Sequence, residues 1–380
     1  MPEQDGISQN TSSSQEQLPE NETVDERLLQ TLSAESFDDW LNERQYRRNI
    51  ENGTPYFNES GHIPDPERHS PSKLLQCHRK IRYRQENTPA EQASPDGIFW
   101  VGTQFEEEIG FPFLERAVTG SDTYVQNTIW VDFTVETAVG DLRIKGATDP
   151  VIVDAEATPI LPTEIKTKSS VEDLTSPNRH HKAQLHAYLV GLSEKYDINL
   201  RTGVLMYGSR DSLNTRFFIV EFDDTFWEEV VVGWAATHTE YRLANELPPA
   251  EPEYDWECEF CSFRERCGKG ALKFEDIGAK GLLPGFTEYP KSKLVEYLEA
   301  HDDAKLTPSL AYEHPELVGA YGAFDWKCRG CSETVAWNAV EWDGDAGSPP
   351  TCPTCSSQGP VTCLVGPAPA DQLVSEGDDK

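Results

Sequence analysis

Three residue types at two neighbouring points of the chain could together hold a divalent cation. Gly146-Ala147-Thr148-Asp149 closes one alternating segment, and Pro162-Thr163-Glu164-Ile165-Lys166 lies on the next. On a strand, residues i and i+2 share a face, so Glu164 and Lys166 project together and Asp149 on the neighbouring strand is placed to converge with them. Two carboxylates brought close together repel unless a cation joins them. An all-oxygen ligand set suits Mg²⁺ or Mn²⁺. Such an ion polarises a phosphodiester and acidifies a bound water. An adjacent ammonium stabilises the developing charge or orients that water. Glu-x-Lys alone is an ordinary alternating strand. Its weight here comes from Asp149, behind a glycine on the preceding strand, and from Gln184-x-x-x-Tyr188, which sits on one face of the following helix.

Helices and strands must position these groups. A helical pattern runs from Ser36 to Asn52 and stops at Gly53. A second helix opens at Ser70-Pro71-Ser72, with Leu74, Leu75, Cys77 and Ile81 inward and Lys73, Arg79, Lys80, Arg82 and Arg84 outward. No acid interrupts it from Lys73 to Gln85, so these five cations are the candidate phosphate contacts. A third helix runs through GTQFEEEIGFPFLERAV with a break near Pro112. The period then falls to two. YVQNTIWVDFTVET and DLRIKGATDPVIVDA read as strands, ILPTEIKTKSS as a third, HHKAQLHAYLVGL as a helix, and TGVLMYGSR and TRFFIVEF as two more strands before a long helix from Asp224 to Leu247. The order predicts an α/β core, a mixed sheet flanked by helices.

The chain has 380 residues, with 66 acidic against 33 basic side chains and a formal net charge of −33. The acids are spread along the whole length, and Trp, Tyr and Phe are plentiful, which argues against an acidic disordered protein. The pattern resembles proteins of salt-loving archaea, whose carboxylate surfaces stay hydrated in concentrated salt. At molar salt the Debye length is about 3 Å, so global acidity does not bar nucleic acid provided a local basic patch exists. No apolar stretch is long enough to span a membrane and the N-terminus lacks a secretory pattern, so a soluble cytoplasmic protein is expected. The expected organisation is an acidic disordered tail over 1–23, a catalytic domain over 24–270, a helical connector over 271–320 with one helix from Lys291 to His301, a small module over 321–365, and a disordered tail over 366–380.

The nine cysteines fall into groups. Cys328-x-x-Cys331 and Cys352-x-x-Cys355, twenty residues apart, are a structural zinc pattern in which four sulfurs close the site. TVAWNAVEW between them reads as a strand and GDAGSPP as a turn, the outline of a zinc ribbon, with Cys363 left over. Cys258-x-x-Cys261-x₅-Cys267 supplies three further thiols, one short of a four-coordinate site.

Gly-x-x-Asp149, Glu164-x-Lys166 and Gln184-x-x-x-Tyr188, in this order, resemble the RecB-like branch of the PD-(D/E)XK nucleases. The resemblance spans about 70–270 and implies the restriction-endonuclease-like fold and metal-dependent DNA cleavage, with exonucleolytic trimming of single-stranded DNA or ends. It places Gln184 and Tyr188 near the metal and the DNA backbone. It also implies an upstream helical metal ligand, usually a His a few residues after a Gly. Here Gly102-Thr103-Gln104-Phe105-Glu106 occupies that place, the His is absent, and Glu106 or Glu107 would serve. SPSKLLQCHRKIRYR is similar to the element of CRISPR-associated RecB-like exonucleases in which the first cysteine joins three C-terminal ones around a 4Fe–4S cluster, which would assign Cys77, Cys258, Cys261 and Cys267 to it. A zinc site on the same thiols is the alternative. The family implies work in DNA repair or CRISPR adaptation, with a helicase or CRISPR-adaptation proteins as partners. The competing reading is a non-catalytic iron–sulfur and zinc module that binds DNA or protein on a nuclease fold. His180, His181 and His186 read as loop or surface residues rather than ligands, with His181 and Lys182 within reach of phosphate.

Overall fold

The computed structural model describes residues 33–51, 63–92, 96–120, 122–271, 278–345, 347–359 and 361–373. Met1–Ser60 and Gly61–Lys380 are two compact units. In the first, helix α1 covers Ala34–Glu51, close to the expected bounds. The expected stop at Gly53, the tail over 1–23, the structured start near Val24 and the last residues, 374–380, lie outside the described residues.

The second unit holds two sheets that share the chain around the candidate site. Strands β3 (Trp130–Thr137) and β4 (Gly140–Ala147) form an antiparallel hairpin, with the two-residue β1 (Arg68–His69) parallel to β4. The other sheet runs β2 (Thr123–Gln126), β5 (Val151–Asp154), β6 (Pro159–Lys168), β7 (Thr202–Ser209), β8 (Thr215–Glu221). Only β6 and β7 are parallel. Parallel neighbours need a crossover, and helix α5 (Arg179–Tyr196) provides it. It packs against β3 as well as β6 and β7. This burial from several sides is why its apolar residues do not form a single stripe.

The two long segments expected as single strands are each broken and shared between the sheets. YVQNTIWVDFTVET splits into β2 and β3, and DLRIKGATDPVIVDA into β4 and β5. Pro150 has no N–H to give a ladder. At the break, Thr148 N–H donates to Ile129 O at 2.9 Å, and Ile129 N–H donates to Thr148 Oγ1 at 3.0 Å. The hairpin therefore peels into one sheet while β2 and β5 join the other. Asp149 sits in the fork, beyond the end of β4 rather than on it.

The helices differ from expectation in instructive ways. Pro71–Lys73 is only a 3₁₀ turn, Leu75 has φ +59°, and the basic helix α2 starts at His78 and ends at Gln85, with Cys77 at its N-cap. The helix through Pro112 does not break. Helix α3 (Asp96–Phe105) passes through a π turn, Glu106–Gly110, into α4 (Phe111–Val118), and Pro112 sits directly after that turn, where the i→i−4 hydrogen-bond pattern is already interrupted. The long C-terminal helix also contains a π segment, Phe226–Val232, and its last part, α6 (Gly233–Leu243), ends four residues earlier than expected, before Asn245 at φ +54°.

Close approach of α3 to β6 and β7 is set by small residues. A Cβ on Gly208 would lie 2.1 Å from the Phe105 ring, and one on Gly110 would lie 2.7 Å from Ile165 Cδ1. Gly208→Ala should therefore cost about 1–3 kcal/mol in urea unfolding and weaken divalent-metal binding, since Phe105 adjoins Glu106. Unchanged stability would show that Phe105 has room to move.

Residues 278–345 carry α7 (Lys291–Ala300) and two further short helices, α8 (Pro308–Glu313) and α9 (Val318–Tyr321), where one helix was expected. Leu282, Leu294, Tyr297, Leu306 and Leu310 form their core. The cysteine module has β9 (Trp326–Cys328) between β10 (Thr334–Val335) and β11 (Leu364–Val365), so only two residues of TVAWNAVEW are strand. The tail expected to be disordered from 366 is ordered to Leu373. Gln372 is buried there, its Oε1 accepts Leu282 N–H at 2.7 Å, and its Nε2 donates to Leu282 O at 2.7 Å. No described helix is long and apolar enough to cross a membrane.

Candidate active site

The fork brings the expected residues together. Asp149 Oδ2 accepts the Ile165 N–H at 2.8 Å, and Pro150 O accepts the Thr163 N–H at 3.1 Å, so the Asp-Pro turn is laid along β6. Lys166 Nζ lies 4.0 Å from Asp149 Oδ2 and forms an ion pair with Glu164 Oε1. Glu164 is fully buried, with the Lys166 ammonium and the Tyr188 hydroxyl as its side-chain partners. Burial pushes its carboxyl up to about 8; the Asp149 charge adds to this, and Lys166 opposes it. Burial works to lower the Lys166 ammonium, but the Glu164 and Asp149 carboxylates outweigh it and hold the pKa above its ordinary value.

Glu106 begins the π turn and is the member of the expected Glu106/Glu107 pair that senses the site. Burial raises it to about 7, with Asp149 raising it further and Lys166 opposing. Glu107 is exposed and accepts a hydrogen bond from Gln104 Nε2 at 3.1 Å. Behind Glu164, Gln184 Nε2 donates to Tyr188 Oη at 2.7 Å, and both residues are buried. The Tyr188 hydroxyl in turn hydrogen-bonds Glu164, so the pair backs that carboxylate from within the core. A buried carboxylate beside a second one is costly unless a cation joins them. Asp149 acts on both Glu164 and Glu106 as a neighbouring charge, so the donors gathered here are all oxygen, the type Mg²⁺ or Mn²⁺ takes.

The basic stretch divides by function. Arg82 is buried and pairs with Glu86 and, at 2.9 Å, with Asn245 Oδ1, so it does not face outward as expected. Arg79 donates to Pro248 O at 2.6 Å and reaches the Cys267 thiol, so it too works internally. Lys80 and Arg84 line a groove, and Lys73 lines a smaller pocket with Arg84. Among the histidines, His186 is buried rather than at the surface. Its Nδ1 bonds to Lys182 O at 2.8 Å and its Nε2 accepts the Asp223 N–H at 3.1 Å. Lys182 itself pairs with Asp223 at 3.6 Å, and His181 Nδ1 bonds to Tyr207 Oη at 2.8 Å.

Cys77, Cys258, Cys261 and Cys267 line one cavity although about 180 residues separate the first from the rest. The segment after α2 holds them there. Glu91 accepts the N–H groups of Glu265 at 2.7 Å and Arg266 at 2.6 Å, and its own N–H donates to Ser262 O at 2.8 Å. Arg266 is fully buried over the Tyr83 ring and donates to the carbonyls of Gly278 at 3.0 Å and Lys280 at 2.7 Å. No sequence pattern flags Glu91. Burial raises the thiols of Cys258, Cys261 and Cys267, the last to about 11, so a cationic group is needed to hold them as thiolates.

In the small module Cys328, Cys331, Cys352 and Cys355 have sulfurs within 4.8 Å of one another, the one such group among the described residues. Cys328 to Cys355 is 3.7 Å and Cys331 to Cys352 is 3.8 Å. Four sulfurs tetrahedrally bound at about 2.3 Å to one zinc ion lie about 3.8 Å apart, so the set fits a single ion. Cys331 and Gly330 N–H groups hold the Cys328 thiol down at about 6. Cys363 is exposed and stays outside the set.

A carboxylate pair and a lysine thus meet at the fork of a mixed α/β sheet. The model of the PD-(D/E)XK nuclease superfamily matches residues 8–268, and the chain belongs to that superfamily. It is 26% identical over 208 residues, 51% of this chain and 84% of the relative, to the CRISPR-associated exonuclease Cas4 of Saccharolobus solfataricus. The solved structure titled "Crystal structure of SSO0001" aligns with TM-score 0.38 and 19% identity, covering 60% of this chain and 94% of that one.

The sequence reading did not single out Lys168, which extends the Glu164-x-Lys166 alternation by two residues onto the same strand face. That repeat was the available signal.

Proposed function

We propose that the protein is a Mg²⁺- or Mn²⁺-dependent deoxyribonuclease that trims single-stranded DNA ends in DNA repair or CRISPR adaptation. The single observation that carries this is the fully buried Glu164 carboxylate, ion-paired with Lys166 and set beside the Asp149 charge. Asp149, Glu164 and Glu106 would hold the ion, which when bound polarises the phosphodiester and lowers the pKa of water. Lys166 stays protonated beside them and stabilises the charge that grows on the phosphoryl oxygens. Tyr188, itself held by Gln184, fixes the Glu164 carboxylate from behind. Lys80 and Arg84 contact phosphates.

Cys77, Cys258, Cys261 and Cys267 are proposed to carry a 4Fe–4S cluster. These four residues line one cavity, and three of their thiols are raised by burial, so a cationic group held between them is what would keep them as thiolates. Cys328, Cys331, Cys352 and Cys355 are proposed to bind zinc. The scattered acidic surface is read as adaptation to concentrated salt in a cytoplasmic protein. The likeness to the CRISPR-associated exonuclease makes CRISPR-adaptation proteins or a helicase the candidate partners.

The test is hydrolysis of a labelled DNA strand in Mn²⁺ and high salt. Activity should vanish with chelator and fall by about 10²-fold or more in Asp149→Asn. A variant as active as the wild type places the chemistry elsewhere.

A further inference from the structure

The groove that leads away from the site has a composition at odds with the rest of the chain. It encloses about 890 Å³. Acids outnumber bases 66 to 33 in the whole protein, yet the charged side chains lining this groove are Lys80, Arg84, Lys168, Arg210 and Lys293 against the single Glu296. Lys293 is paired with Glu296 at 3.0 Å. Among the described residues, the other four make no ion pair with a carboxylate within 4.0 Å. Lys168 is on β6, two residues beyond Lys166 and on the same face, so the cationic floor begins next to the carboxylates.

The walls are aromatic and open. Phe99 of α3 is 61% exposed, and Trp256 and Phe260, which flank Cys258, are 50% and 75% exposed. Trp256 stacks on Tyr254 with ring centroids 5.9 Å apart and planes 16° apart, which limits the orientations its outer face can take. Large apolar side chains left in water around a cationic floor are costly unless flat, uncharged surfaces come to lie on them. Bases of an unpaired strand provide such surfaces while their phosphates meet the cations. The bases of a duplex are stacked on each other and unavailable.

We infer that this groove is a base-stacking subsite for single-stranded nucleic acid, with Trp256, Phe260 and Phe99 gripping bases and Lys80, Arg84, Lys168 and Arg210 gripping the backbone. The inference rests on the nuclease reading for its direction, since the strand runs from the groove to Glu164. It assigns strand selection to residues outside the metal site. Two of the three aromatics are carried by the cysteine loop, so whatever the four thiols hold also fixes one wall of the groove. At molar salt the phosphate contacts are screened, and stacking must supply most of the grip.

Binding can be read without hydrolysis by fluorescence anisotropy, using full-length, anaerobically purified Glu164→Gln protein without added divalent ions. The probes are a labelled oligothymidine of about 16 nucleotides, an abasic strand of the same length, and a duplex. Trp256→Ala and Phe260→Ala should each weaken oligothymidine binding by about 5- to 150-fold, from about 1–3 kcal/mol per stacked base. They should leave the abasic strand unaffected. Lys168→Ala should weaken both strands alike and flatten the salt dependence by about 0.7 in log–log slope. Trp256→Phe should restore oligothymidine binding to within a few-fold. Aromatic variants that bind oligothymidine normally, or lose both strands equally, overturn the inference, as does a Trp256→Phe protein that retains its cysteine-bound group yet binds as poorly as the alanine variant. Duplex binding as tight as single-strand binding also overturns it. Because binding is measured in a hydrolysis-deficient background, these results are independent of whether Asp149→Asn abolishes cleavage.

Discussion

Glu164→Gln should lower DNA hydrolysis by about 10³-fold and at the same time stabilise the metal-free protein at alkaline pH. Both effects come from one carboxylate. As a ligand it is irreplaceable, because a neutral amide offers the ion far less. As a buried acid without metal it is a burden. Its pKa in the folded protein is pushed up to about 8 from an ordinary 4.5. Between those values the folded state holds a proton that the unfolded state has released, so metal-free stability declines as pH rises from about 4.5 to about 8. The burial that is the main cause of this shift also makes Mn²⁺ binding pH-dependent: the ion must displace the proton, so affinity should rise toward pH 8. Thermal melts across that range, with and without Mn²⁺, should show the declining slope in the wild-type protein and a much flatter one in the variant. Mn²⁺ should raise the wild-type melting temperature more than that of the variant. An active Glu164→Gln enzyme would falsify the catalytic assignment.

The second large effect is expected from Cys261→Ser. The four thiols on that cavity come from the N-cap of α2 and from a loop past α6, so the group proposed to bind them would join two distant segments of the chain. Losing one ligand should cost several kcal/mol, about 10 °C or more in melting temperature. It should also bleach a broad absorption near about 400 nm in anaerobically purified protein. Hydrolysis should fall as a consequence, because Lys80 and Arg84 on α2 and Trp256 and Phe260 on the loop would lose their fixed spacing. A colourless wild-type protein holding zinc at both cysteine sets would replace the cluster by an ion and leave the cross-link argument intact. An unchanged melting temperature in the variant would remove both.

The residues proposed to do the chemistry were legible because their signals are local. Glu164 and Lys166 share a face by the period of a strand, and Gln184 and Tyr188 share one by the period of a helix. The paired Cys-x-x-Cys spacing speaks for itself. What was misread was also local. Pro150 lies inside a run that alternates well enough to pass as one strand, and Pro112 inside a helix passes as a break. In each case the outcome depended on which partner the neighbouring backbone found. Arg82 and Arg79 had the same appearance as Lys80 and Arg84, because a one-dimensional reading assigns a charge to a helix face without knowing that Glu86, Asn245 or Pro248 will meet it.

The amino-acid sequence by itself determined the ligand chemistry of this protein: oxygen donors and one ammonium at the fork, and two sets of thiols elsewhere. Only the tertiary structure decided that Asp149 reaches Glu164 from a turn between two sheets, that Glu106 rather than Glu107 turns toward them, that Cys77 meets its three partners, and that four cations and three aromatics share a groove. The physical reason is that ligand type is a property of single residues and short spacings. Convergence is a property of packing between segments far apart in the chain, settled by the burial of α5 between the sheets and by the close contacts at Gly110 and Gly208.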